Sequence, residues 1–290
     1  MPAGGARSAA DGEREDETVI RLGMMARQTQ DRSVEQALEL AHRLGLDSVD
    51  LHLSGLSRDG QYLRRLKLDC LRRGLTIGYV GGGTFVGPPE ERQQRLAQGR
   101  ADVDLAAYMG AQLLRVFARH PWPETEAEQE ALWGPMIDSY RELADYAAER
   151  GVAVGLQNHD NGSFAMTAWQ VLRILDEVGR DNFTFIMDTG QWLGAIGSHP
   201  RGEFDPQVDL YADYLEPTAP RAAYVRAKIY KIDSGAEEFL DYDRILSILR
   251  AAGYNGALGM VFELGDRNAC GYDRAVELAT RHLRDAISSA

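Results

Sequence analysis

The stretch from Gly151 to Trp192 constrains the fold of this chain more than any other. It holds two short apolar runs, GVAVGL and NFTFIM, and each ends in a polar cluster. The first cluster is Gln157, Asn158 and His159; the second is Asp188, Thr189, Gly190 and Gln191. Between the runs, Trp169, Val171, Leu172, Leu175 and Val178 recur at helical spacing, with Thr167 placed as an N-cap. Strand, helix and strand in this order form a βαβ unit with parallel strands. In parallel α/β folds ligands meet the carboxyl ends of the strands, where both polar clusters lie.

The same alternation continues through the chain. Strands are predicted at TVIRLGMMA from Thr18, then DSVDLHLS, LTIGYVGGG and AQLLRVFARH, and after the central unit at RAAYVRAKIYKI and GALGMVFEL. Amphipathic segments separate them. One begins at Ser33, which forms a capping box with Gln36; another stops at Gly74; a long one ends near Gly110. Glu124 to Arg150 and VDLYADYLEPTAP also read as helical. Eight strands alternating with about eight helices in 290 residues favour a (β/α)₈ TIM barrel over an open doubly wound sheet. No GxGxxG opens a helix after the first strand, and Gly81–Gly83 lacks a following Walker lysine, so no nucleotide fingerprint is present. Residues 18–286 are expected to form a single barrel domain, and residues 1–17, small and acidic, a disordered tail.

Composition narrows the function. A formal net charge of -12 opposes binding to nucleic acid and to anionic membranes. No apolar run approaches the roughly 20 residues that cross a bilayer, and the N-terminal residues lack a signal-peptide core. Cys70 and Cys270 stand far apart without a metal-type spacing, which fits a reducing compartment. A cytoplasmic protein that acts on a small molecule is the expectation; the sequence leaves a homo-oligomer open.

Period-two alternation assigns the inward face of each strand. In the fifth strand Ala153, Gly155, Gln157 and His159 share the side away from Val152, Val154 and Leu156. Thr184, Ile186 and Asp188 share a side in the sixth; Arg226, Lys228 and Tyr230 in the seventh; Ala257, Gly259, Val261 and Glu263 in the eighth. Four consecutive strands therefore converge on Gln157, Asp188, Arg226 with Lys228, and Glu263. Buried charges must pair with one another or with a ligand. On the second strand Asp50 and His52 also point inward. Arg115 and Arg119 share a side of the fourth, suited either to an ion pair with Asp50 or Glu263 or to an anionic or hydroxylated substrate. Trp122 and Trp192 follow strand ends, where an indole can stack on a sugar or pack in the core; Trp133 and Trp169 read as core.

Three pieces of this pattern resemble the xylose-isomerase-like barrels, which include sugar phosphate isomerases and epimerases. GLQNH resembles the family's Glu-Asn-His at the end of strand five. MDTGQ resembles its Asp-Thr-Gly-His. The run from Tyr224 to Glu263 resembles its last strand–helix–strand, with Leu-Asp-Tyr, Gly-Tyr-x-Gly and the final Glu. The resemblance implies one divalent ion held by Glu, Asp, His and Glu on strands five to eight. Asp188 and Glu263 match that set, and Lys228 matches a frequent family lysine. Gln157 stands where Glu is implied, Arg226 where His is implied, and Gln191 replaces the His after Asp-Thr-Gly.

These departures change the chemistry. A Gln carbonyl meets a hard cation without charge. Arginine has no lone pair, stays protonated and repels a cation. The expectation is therefore no metal, or a weakly bound Mn²⁺ or Mg²⁺ on Asp188, Glu263 and Gln157, with Arg226 as a fixed positive charge in the ion's place. The resemblance implies an isomerase or epimerase, or a β-elimination lyase, that removes a proton beside the carbonyl of a sugar, keto-sugar or cyclitol. Glu263, Asp188, Lys228 and His159 are its candidate catalytic groups. Arg226, Gln157, Asn158, Gln191, His52 and Trp192 are its candidate substrate contacts. KIDSGAEEFLD after the seventh strand is acidic, so an unphosphorylated polyol is favoured. The alternative is a non-catalytic sugar-binding or partner-subunit relative that has lost the metal site. DNA repair of the endonuclease IV type needs many more His and carboxylate ligands than a chain with six histidines and net charge -12 supplies.

Overall fold

The structure is a computed structural model that describes residues 19–27, 29–119, 125–195, 204–262 and 268–289. The expected N-terminal tail, Trp122 and Glu263 lie outside the described residues. Eight parallel strands close into a barrel in chain order: β1 (Arg21–Ala26), β2 (Ser48–His52), β3 (Thr76–Thr84), β4 (Leu113–Phe117), β5 (Ala153–Gln157), β6 (Phe183–Asp188), β7 (Ala222–Ile229) and β8 (Ala257–Phe262). β8 returns to β1 through the pairs Arg21 with Ala257 and Met24 with Met260, so no strand edge is left open. The (β/α)₈ reading holds.

The helices around the barrel are α1 (Val34–Arg43), α2 (Gly60–Arg72), α3 (Arg92–Met109), α4 (Glu126–Ala148), α5 (Ala168–Val178), α6 (Glu216–Thr218), α7 (Tyr242–Ala251) and α8 (Tyr272–Ser289). Ser33 and Gln36 form the expected capping box on α1, and Thr167 caps α5 with Gln170 as its reciprocal partner. Gly110 ends α3 in the left-handed region at φ 81°, which only glycine adopts without a Cβ penalty. Among the described residues no helix is long and apolar enough to cross a membrane.

Two local expectations need correction, and one strand is irregular. The segment before β7 is not a regular α-helix. It is a π-helical stretch, Leu210–Leu215, followed by the single turn α6 and a 3₁₀ turn, Ala219–Arg221. Pro217 and Pro220 withhold the amide donors that a longer helix needs. Trp169 is not core: it is 65% exposed and lies beside Arg173, whose guanidinium sits 5.4 Å from its ring centroid. β3 carries one extra residue, because Val49 to Leu51 on β2 pairs with Ile77 to Val80. Such a bulge shifts the side-chain alternation, and here it accompanies Tyr79 in the barrel interior.

Val154, Leu156, Val225, Ala227, Leu258 and Met260 join the core between strands and helices. Inside the barrel, a lower layer of Tyr79, Leu113, Ile186 and Tyr224 packs with Ala153 and Ala257. Gly78 and Gly259 leave room for the Tyr224 phenol, since a Cβ on either would meet its Oη at 2.9 Å and 2.5 Å. Asp50 occupies the same space, and Tyr224 Oη donates to its Oδ1 at 2.6 Å. Above this layer, toward the carboxyl ends, the inward positions turn polar.

Candidate active site

β5, β6 and β7 bring their last inward side chains together around Asp188, which is fully buried. Asp188 Oδ2 accepts from Arg226 Nη1 at 2.9 Å, and Lys228 Nζ lies 3.3 Å from the same oxygen. Oδ1 accepts from the Gly190 amide at 3.1 Å. Arg226 and Lys228 are 4% and 1% exposed. The period-two reading of β7 therefore places both cations correctly, on one carboxylate. Such a buried cluster persists because each charge has an opposite partner within hydrogen-bond reach.

Gln157 extends the cluster toward β4. Its Oε1 accepts from Arg115 Nη1 at 3.3 Å, and its Nε2 donates to Gln191 Oε1 at 3.2 Å. Backbone and side-chain props fix the rest. Thr189 Oγ1 accepts from the Lys228 amide at 3.0 Å, and Tyr242 Oη donates to the Lys228 carbonyl at 2.7 Å. Tyr230 Oη donates to the Gly190 carbonyl at 2.9 Å. A Cβ on Gly190 would meet that hydroxyl at 2.6 Å, which explains the glycine in the Asp-Thr-Gly turn.

Two expected substrate contacts are corrected. Asn158 spends its amide on the backbone. Its Nδ2 donates to the carbonyls of Asp188 and Gln191 at 3.1 Å and 2.8 Å, and its Oδ1 accepts from the Asp188 amide at 2.8 Å. It is a clip between the ends of β5 and β6. Trp192 is fully buried. It stacks on Tyr214 at 5.0 Å between centroids and meets Phe185 edge-on at 6.0 Å. Its faces belong to the core and offer no sugar platform.

Burial is the main cause that pushes both candidate histidines, His52 and His159, toward the neutral form. Burial pushes His52 down to about 3, with the charges of Arg115, Arg27 and Arg226 adding to it. Its Nδ1 accepts from the Ser54 amide at 3.1 Å, which leaves Nε2–H as a donor. Burial also lowers His159, and Arg119 and Lys228 act with it against the raising effect of Asp160. His159 Nδ1 lies 3.0 Å from Asp160 Oδ1, and Nε2 lies 3.1 Å from Arg119 Nη1. A proton on Nδ1 leaves Nε2 to accept from Arg119, so the lone pair a general base would use is already engaged.

Sequence reading misses the groups under the site. Tyr79 and Tyr224 sit edge to face at 5.2 Å inside the barrel. Period two carried back from Arg226 points to Tyr224; the β3 bulge hides Tyr79. The inward direction of Asp50 is readable, but its state is not: burial raises its carboxyl to about 7, against the lowering effects of Tyr224, Arg226 and Arg115. This yields a prediction with a definite sign. The folded protein keeps a proton on Asp50 that the unfolded chain releases near 3.8. The group's contribution is full below that value and is lost as pH rises through about 7, a span worth up to about 4 kcal/mol. Urea midpoints measured from acid to neutral pH should fall for the native chain and fall less for Asp50→Asn, which keeps an acceptor for Tyr224. Parallel curves for the two proteins would show that Asp50 ionises normally.

Among the described residues the donor set does not suit a divalent ion. Asp188 already has both oxygens engaged, one of them by two cations, and Gln157 brings no charge. Among the described residues no group of three or more His, Cys, Asp or Glu is arranged to hold a metal.

A model of the family described as xylose isomerase-like TIM barrel matches residues 38–286. No curated protein matches significantly. Among solved structures, an L-ribulose 3-epimerase superposes with a TM-score of 0.72 at 17% identity, covering 93% of this chain and 97% of that one. The D-psicose 3-epimerase from Clostridium cellulolyticum H10, solved with D-tagatose, gives 0.69 at 17% identity over 93% of this chain and 98% of that one. A protein from Sinorhizobium meliloti 1021 gives 0.69 at 15% identity over 86% and 91%. At these identities the likeness is one of fold.

Proposed function

Since the chain belongs to the xylose isomerase-like TIM barrel family, we propose that it is a sugar isomerase or epimerase that removes and returns a proton beside the carbonyl of a keto-sugar. One observation carries this reading: Arg226 and Lys228 meet on buried Asp188 at the carboxyl ends of β6 and β7. Proton removal beside a carbonyl needs a base at the carbon and fixed positive charge at the oxygen that becomes an enediolate. Arg226 supplies charge that no proton transfer can remove, and Lys228 supplies a second donor. Asp188 orients the pair. The base is Glu263, the residue that directly follows β8 in sequence. The proton leaves carbon for this carboxylate as the C–H electron pair forms the enediolate double bond and the carbonyl π electrons move to oxygen; its return by Glu263 to the neighbouring carbon on the same face gives the isomer, and delivery of a proton from water to the opposite face gives the epimer. The ketose 3-epimerases among the structural neighbours support a keto-sugar as substrate.

A second reading has its own support. Asp188 has no unengaged oxygen, so it does not serve as the second acid/base group, and a sugar-binding protein without catalysis would look the same there. The test is exchange. Candidate ketoses incubated in D₂O should lose the C–H signal beside the carbonyl by NMR in the presence of the protein. Glu263→Gln should slow this by at least about a hundredfold while ketose binding persists. Ketoses that bind without any exchange would establish the binding-protein reading instead.

A further inference from the structure

Arg115 is a buried guanidinium with no carboxylate to pair with among the described residues. It lies on β4 at 2% exposure. Its Nη1 reaches only the neutral Oε1 of Gln157, at 3.3 Å, and its Nε has no hydrogen-bond partner. The position is nonetheless built for it. The guanidinium carbon sits 4.5 Å from the Phe117 ring centroid and 5.4 Å from that of Tyr79. On a third side Gly81 gives it space, since a Cβ there would meet Nη2 at 2.8 Å and Cζ at 3.2 Å. Two aromatic faces and a glycine fix the plane of the fork and leave its Nε–H without a partner.

Two neighbours are in the same condition. Arg226 Nε and Tyr79 Oη are buried and without a partner. Arg115, Arg226 and Tyr79 lie within electrostatic reach of one another. Buried polar atoms in native proteins are nearly always satisfied, so three unmade donors in one place mark where ligand or water atoms belong. Charge separates these occupants. Arg115 adds a second buried guanidinium beside that of Arg226, while the buried carboxylate of Asp188 is already taken by Arg226 and Lys228. His52 is pushed down to about 3 by burial and then by the same arginines. Asp50, the carboxylate beneath them, is drawn toward its neutral form by burial and is engaged by Tyr224. This positive interior lies in a protein of net charge -12, so it is local and not a property of the whole surface.

We propose that Arg115, with Arg226 and the Tyr79 hydroxyl beside it, binds an oxyanion carried by the substrate, which is therefore an acidic keto-sugar bearing a carboxylate or phosphate. This assignment rests on the keto-sugar reading above and departs from the unphosphorylated polyol that the sequence favours. A planar guanidinium with an unused edge matches a carboxylate or phosphate through paired charge-assisted hydrogen bonds, which a hydroxyl cannot replace.

The test compares three sets of probes on the native protein: the neutral ketoses D-psicose and D-tagatose, the keto-uronates D-fructuronate and D-tagaturonate, and D-fructose 6-phosphate. C–H exchange in D₂O and calorimetric binding are measured for each, with inorganic sulfate as a competitor. At least one acidic sugar should have a kcat/KM for exchange about 10- to 100-fold above that of the neutral ketoses, the range of a charged hydrogen-bond pair. Whether the uronate or the phosphate wins identifies the oxyanion. Sulfate should compete, and Arg115→Met should collapse the acidic-to-neutral ratio. If that variant does not fold, the probe comparison and sulfate competition on the native chain still decide. Exchange of neutral ketoses as fast as both acidic classes would overturn the oxyanion site and leave the proposed function standing. Acidic sugars that bind with sulfate competition but do not exchange would support the site and overturn the catalytic reading. No binding by any acidic probe would overturn the site.

Discussion

Arg226→Met is expected to cost about 3–5 kcal/mol of stability and to slow any substrate C–H exchange by about 10²- to 10³-fold. The stability loss follows from what remains. Asp188 is fully buried, and without the Nη1 bond at 2.9 Å its Oδ2 keeps only Lys228 at 3.3 Å. Methionine keeps the unbranched stem of the side chain, so the loss reports chiefly the charge pair and not a large cavity. The rate loss follows from removing the fixed cation against which the enediolate oxygen forms. Urea denaturation gives the first quantity and NMR exchange the second. A cycle with Asp188→Asn should show strong coupling, since each single change strands the other's charge and the double change strands less. Additive effects would mean that the two groups do not act as a pair.

The second large effect is a gain. Gln157→Glu combined with Arg226→His restores the ligand types that the family resemblance implies on strands five and seven. It adds one negative charge, removes one positive charge and leaves Asp188 Oδ2 with Lys228 as its one cation. The double variant should bind Mn²⁺, and at a hundredfold excess over its dissociation constant the ion should add about 2.7 kcal/mol of stability, reversed by chelator. Gln157→Glu alone should gain much less. Its new carboxylate would stand where Arg115 now donates at 3.3 Å, and Arg226 would still repel the ion. Thermal melts with Mn²⁺ and with chelator measure this directly. Equal stabilisation of the native chain by Mn²⁺ would show that Arg226 does not exclude a metal.

Much of this arrangement is legible in the amino-acid sequence. The barrel follows from strands and helices in strict alternation. The inward sides of β5, β6 and β7 follow from period two, which holds as long as a strand stays regular. That rule places Asp188, Arg226 and Lys228 together and turns Gln157 inward against Arg115. It fails where the backbone leaves the strand. Asn158 and Trp192 follow the ends of β5 and β6, and their directions come from loop turns; one clips backbone and the other packs on Tyr214. It fails again at the β3 bulge, which hides Tyr79. The Asp50–Tyr224 bond joins residues 174 apart in sequence, across the barrel axis, where no local pattern reaches. That Arg115 has no carboxylate partner among the described residues is equally invisible, because pairing is set by four strands at once.

The central claim is that a guanidinium and an ammonium on Asp188 stand where the family resemblance implies a metal ion, and that proton transfer beside a carbonyl runs on them. Protein-dependent C–H exchange in D₂O, measured by NMR on chelator-treated protein with and without added Mn²⁺, tests it most directly. The account expects one and the same exchange rate under both conditions. Exchange that vanishes with chelator and returns with Mn²⁺ would contradict it.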